Sequence, residues 1–117
     1  MQKEKIVVRH LGSIPLEAAH DGAGRRQLVF SNPDIPNSKL EAVTVGFLPA
    51  KGRFKAHKHD GIDEVMMMRK GCGRIESGKK KLGVSPGDFV LFPAGVTHAI
   101  INTGKGKLAA QFIRFRR

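Results

Sequence analysis

A chain of 117 residues with 40% apolar content has the make-up of one folded domain with a single core, and it is neither disordered nor long enough for two comfortable domains. One cysteine, Cys72, excludes an internal disulfide framework, no apolar run approaches the ~20 residues that cross a bilayer, and the opening MQKEKIVVRHLG has no apolar signal region, so a cytoplasmic protein without membrane segments is expected. The net charge of +11, from 21 Lys+Arg against 10 Asp+Glu, would steer small anions; with seven Phe, no Tyr, no Trp and no nucleic-acid motif, it reads as a solvated basic surface rather than an RNA or DNA interface.

Along the chain, short β-prone runs alternate with Gly, Pro, Asn and Asp punctuation. The pattern predicts strands at Lys5–Arg9, Gln27–Phe30, Ala42–Leu48, Phe54–His59, Glu64–Arg69, Gly73–Glu76, Phe89–Phe92, His98–Asn102 and Leu108–Phe115. Only Ile14–His20 has a helical look, for a turn or two. Lys79–Lys81 reads as an exposed hairpin tip, and Arg114, Arg116 and Arg117 as a charged end of the last strand that discourages edge pairing. So many short strands argue for an antiparallel barrel or sandwich. Residues 1–38 are expected to form an N-terminal strand and arm, and residues 39–117 the core barrel of a single domain.

Two segments carry the chemistry. In KGRFKAHKHDGIDEVMMMRKG, His57 and His59 lie two residues apart, so an extended backbone puts both imidazoles on one side. Glu64 follows beyond a loop-like Asp60-Gly61-Ile62. In PGDFVLFPAGVTHAIIN, His98 follows a Pro93-Ala94-Gly95 turn. Together His57, His59, Glu64 and His98 would give a mixed nitrogen and oxygen site without thiolate, suited to one divalent ion: Fe, Mn, Ni, Zn or Cu. Three histidines and a glutamate turned into an apolar interior would otherwise be costly buried polar groups. If Glu64 points inward, Met66 and Met68 do too, and Ile100 and Asn102 follow His98. Met66, Met68 and Ile100 are therefore expected in an apolar pocket, with Phe54, either Phe89 or Val90, and either Phe112 or Ile113, Phe112 being preferred, as further lining. Acid–base candidates are few: Asp60 and Asp63 at the rim, and Gln111 as a neutral handle. His10 and His20 read as surface residues, and Cys72 as a small packed thiol without an activating base.

The spacing Gly52-x4-His57-x-His59-x4-Glu64-x6-Gly71 resembles the first cupin motif, and Gly87-x5-Pro93-x-Gly95-x2-His98-x3-Asn102 resembles the second. The one departure is the run from Gly52 to His57, four residues where the family usually has five; it touches a turn and leaves the ligand spacing intact. The resemblance is to small single-domain, metal-binding cupins of the conserved-barrel type. It implies a double-sheet jelly-roll barrel of six to eight strands, a metal inside its mouth, and a homodimer. It also implies a metal-dependent enzyme of dioxygenase, isomerase or lyase type that takes a small oxygenated or carboxylated compound. A non-catalytic module that binds or senses a sugar-acid-like ligand through the metal is the alternative. Thiol dioxygenases with a Cys–Tyr cross-link are excluded by the absence of tyrosine. The nucleotide-sugar epimerase cupins, which use a His base and a Tyr acid, fit poorly.

Overall fold

The computed structural model describes residues 4–19 and 24–117. The described strands are β1 (Glu17–Ala18), β2 (Arg25–Ser31), β3 (Leu40–Leu48), β4 (Arg53–His57), β5 (Ile62–Lys70), β6 (Gly73–Ser77), β7 (Lys80–Val84), β8 (Phe89–Phe92), β9 (His98–Asn102) and β10 (Leu108–Arg116). They form a six-stranded sheet in the order β1-β2-β3-β10-β5-β8 and a four-stranded sheet in the order β4-β9-β6-β7. Every pairing is antiparallel. This is the jelly-roll barrel expected of the cupin resemblance.

The alternation of side chains builds the core. On β5, Glu64, Met66 and Met68 are buried while Val65 and Met67 are only half-buried. On β10, Leu108, Ala110 and Phe112 point inward, and Phe112 lies opposite both Met66 and Thr44. Leu48, Ile75, Val84, Phe92 and Ile100 complete one contiguous apolar cluster. Strand β9 is buried along all five residues, because β4 and β6 flank it in its sheet. At its far end Asn102 donates to the carbonyls of Leu48, Pro49 and Gly106 and accepts from the Gly104 amide, so this buried amide is satisfied. Gly71 holds the turn between β5 and β6 with φ of 83°, where a Cβ would also stand 2.8 Å from the Lys107 carbonyl oxygen.

Four expectations need correction. Lys5–Arg9 is β-prone but is not a strand; it pairs with no ladder among the described residues, and Arg9 is held by Asp34 and the Val29 carbonyl instead. Residues 14–19 are not helical. A 3-10 turn at Leu11–Ser13 precedes them, the Leu11 and Ile14 carbonyls accept from the buried Gln27 amide, and Glu17–Ala18 pairs with β2; His20 lies outside the described residues. Of Lys79–Lys81 only Lys79 lies at the hairpin tip, in the Gly78-Lys79 turn; Lys80 and Lys81 begin β7, whose Lys80-Lys81-Leu82-Gly83 run is exposed because β7 is an edge strand. Cys72 is exposed rather than packed.

Candidate metal centre

Strand β4 ends at His57, and β9 begins at His98 directly opposite it. His59 follows β4, and Glu64 projects from β5 in the other sheet, in register with Phe92 of β8 and Arg114 of β10. The site thus spans the two layers at one end of the barrel. The ring centroids of His57 lie 4.9 Å from His59 and 4.5 Å from His98, and one nitrogen from each of the three rings falls within 4.8 Å of the others. His98 is further fixed by stacking on Phe92 at 4.1 Å.

The second nitrogen of two of these rings sets their tautomer. His57 Nδ1 lies 2.6 Å from the Lys55 carbonyl oxygen and His98 Nδ1 lies 3.1 Å from that of Val96. A carbonyl can only accept, so each Nδ1 carries the proton and each Nε2 presents a lone pair to the centre. The Nε2 atoms of His59 and His98 are buried and have no hydrogen-bond partner among the described residues. Glu64 Oε1 is 3.7 Å from His59 Nε2 and 3.8 Å from His98 Nε2, too far for formed hydrogen bonds. Its other oxygen, Oε2, accepts from Arg114 Nε at 2.7 Å.

Burial pushes the Glu64 carboxyl up, but His59 and Arg114 outweigh it and hold the group below its ordinary value, so it is a carboxylate at neutral pH. Burial, with the neighbouring His57 and His59, pulls His98 down despite the Val96 carbonyl and Glu64, so its imidazole is neutral at pH 7. Two unpartnered buried imidazole nitrogens converging on a carboxylate oxygen are what a divalent cation would satisfy, and the three histidines can hold one.

A cavity of about 540 Å³ opens beside this cluster. Of the expected pocket residues, Ile100 and Phe112 line it, together with Phe54, whose ring meets Phe112 edge-on at 6.4 Å. Met66 and Met68 point inward as expected but belong to the packed core and do not line the cavity. Of the acid–base candidates only Asp60 lines it. Asp63 turns the opposite way from Glu64, accepts from the Ala94 amide at 2.8 Å and pairs with Arg117, which ties the loop after His59 to the turn before His98. Gln111 sits between Phe112 and Ala110 in sequence, so alternation sends it to the outer face, in register with Val45 and Met67. Phe89 likewise faces out, leaving Val90 packed against the core.

Arg114 was missed as a functional residue. Reading it as a charged edge fails because β10 is a central strand, between β3 and β5. The signal was present in the phase of β10: Arg114 is two residues from the inward Phe112 and so shares its face. The walls also carry Arg26, Thr44, Lys55 and Lys58, which no motif marks.

These features define a jelly-roll barrel with a histidine-rich mouth. The cupin-domain family model matches residues 44–113, and the chain belongs to the cupin family. No curated protein matches the chain in sequence. Among solved structures it is similar to a predicted oxalate decarboxylase from Thermotoga maritima, at 22% identity and a TM-score of 0.86, over 95% of this chain and 100% of that one. It is also similar to the polyketide cyclase RemF from Streptomyces resistomycificus, at 13% identity and a TM-score of 0.79, over 96% and 80% of the two chains. A cupin-superfamily sugar phosphate isomerase from Silicibacter pomeroyi matches at 19% identity and a TM-score of 0.74, over 92% and 74%. At these identities the likeness is one of fold.

Proposed function

We propose that this cupin is a metal-dependent enzyme in which His57, His59, Glu64 and His98 hold one divalent ion and the adjoining cavity takes a small oxygenated or carboxylated compound. The observation that carries this reading is the pair of buried, unpartnered Nε2 atoms on His59 and His98, both facing the free oxygen of Glu64. A divalent ion there supplies Lewis-acid polarisation of a substrate oxygen, and iron(II) adds reactivity toward dioxygen. The protein's own part is to orient and to exclude water. Phe54, Ile100 and Phe112 form an apolar wall against which a substrate's carbon skeleton packs, and the Lys55 and Val96 carbonyls fix two of the ligand rings. The similar folds include proteins named for decarboxylase, isomerase and cyclase activities, which supports an enzyme without choosing its reaction.

The second reading, a metal-dependent binding or sensing module, is favoured by one feature: besides the proposed ligands, Asp60 is the only carboxylate among the described residues lining the cavity. Aerobic incubation of the iron, manganese, nickel, zinc and copper forms with α-keto, diketone, catechol-like and sugar-acid compounds separates the two. Oxygen uptake or product formation is expected; saturable binding without turnover of any compound would establish the module instead. A homodimer is also part of the proposal. The exposed Phe89 and Leu91 on edge strand β8 supply apolar surface for it, and sedimentation as a monomer at micromolar concentration would remove it.

A further inference from the structure

The cavity wall has a charge pattern that the metal reading leaves unused. Arg26, Lys55, Lys58 and Arg114 line it against Asp60 and Glu64. Three of these charges are already matched, since Arg26 pairs with Glu17 outside the cavity and Glu64 pairs with Arg114. Basic side chains outnumber acidic ones on this wall, which favours an anion over a cation among charged ligands.

Arg114 is the basic group tied directly to the centre. Its Nε donates to Glu64 Oε2 at 2.7 Å, and Glu64 Oε1 is the atom that faces His59 and His98. One carboxylate therefore joins the guanidinium to the histidine cluster, and the two poles are separated by no more than that group and its contacts. A guanidinium has five N–H donors, of which the Glu64 bond uses one. Among the described residues no further partner of Arg114 occurs, while its side chain is 27% exposed and lines the cavity. The remaining donors lie on the terminal nitrogens, the part of the fork that grips a planar carboxylate bidentately.

We propose that Arg114 has two roles at once: it confines Glu64 to a single oxygen facing the histidines, and its terminal nitrogens anchor the carboxylate of an anionic substrate beside the ion that the histidines and Glu64 would hold. This rests on the metal reading above and narrows it to small carboxylates with a neighbouring oxygen, of the 2-oxo or 2-hydroxy acid kind, with the apolar wall of Phe54, Ile100 and Phe112 taking the carbon chain. Arg114 is here a specificity-determining residue. Its hold on Glu64 makes it a positioning residue for the metal.

The test uses the manganese-loaded protein and two probes of nearly equal size and unequal charge, pyruvate and pyruvamide, titrated calorimetrically into the parent, Arg114→Lys and Arg114→Gln. Manganese uptake by each metal-free protein is measured first. The parent is expected to prefer pyruvate by at least tenfold. Arg114→Lys keeps a cation for Glu64 but loses the fork, so it should take up manganese within about threefold of the parent and lose most of the preference for pyruvate. Arg114→Gln should lose the preference entirely and bind manganese several-fold more weakly. Failure of the parent to retain manganese or any of the other four candidate ions would overturn the metal reading together with this one. Retained manganese with no preference for pyruvate, or a preference that survives in Arg114→Lys at full strength, would overturn the anchor alone.

Discussion

In the metal-free protein, His98→Ala brings effects of opposite sign. The substitution deletes the Nδ1–H bond to the Val96 carbonyl, worth about 1 kcal/mol, and the stack on Phe92, worth about 0.5–1.5 kcal/mol, and it leaves a void that costs about 1.5 kcal/mol. It also removes a buried Nε2 with no partner, a relief of about 1–3 kcal/mol. The net loss should be about 1–2 kcal/mol, which lowers the melting temperature by roughly 5–15 °C and leaves a folded barrel. Metal changes the comparison. At a free ion concentration one hundred times its dissociation constant, the parent gains about 2.7 kcal/mol. If loss of one imidazole weakens binding about a hundredfold, the same solution stabilises His98→Ala by only about 0.4 kcal/mol. Thermal melts of both proteins with and without each of the five candidate ions therefore give a difference of differences, which cancels the effect of the substitution on the empty fold. A parent that gains nothing from any ion, or a His98→Ala protein that gains as much as the parent, would refute the reasoning.

Gly46→Ala tests the cavity wall: Gly46 itself lines the cavity, and an added Cβ would stand 2.9 Å from Phe112 Cε2, so the ring must give way. A loss of about 1–3 kcal/mol in a urea titration and weaker ligand binding are expected, with metal uptake unchanged; an unaltered midpoint and affinity would show that the ring yields freely. Asp63 is held below its ordinary value by Arg117 and the Ala94 amide, so its contribution is present above the unfolded carboxyl range and is lost as pH falls through the lower, folded value. The urea midpoint of the parent should therefore fall more steeply below about pH 4 than that of Asp63→Asn; parallel curves would mean that the Arg117 clasp adds nothing.

How far the sequence carried depends on where each signal lies. The H-x-H pair, Glu64 and His98 were legible because a metal site would need fixed residue types at fixed strand phases; the structure clusters the three rings and sets Glu64 Oε1 3.7 Å and 3.8 Å from two of them. Alternation also placed Ile100 correctly on the cavity, and of the pair Phe112 and Ile113 it is Phe112 that lines it. The same alternation could not separate Ile100 from Met66 and Met68, which share the inward phase but sit deeper in the packed core. Strand β7 was missed because an edge strand need not carry an apolar face, and Lys80-Lys81-Leu82-Gly83 has almost none. Lys5–Arg9 failed for the converse reason: β propensity does not create a partner strand. Arg114 shows a third limit. Its role depends on which strands flank β10, and that is a property of topology rather than of any local run.

The donors come from both layers, three imidazoles from the side of the four-stranded sheet and one carboxylate from the six-stranded sheet. With an ion bound as proposed, the site is a rivet through the sandwich rather than an ornament on one face. Release of the ion then requires Glu64 to let go or the mouth to part. Metal exchange becomes a clock for breathing of the barrel, and anything that braces Glu64 against its own sheet, as Arg114 does, slows that clock.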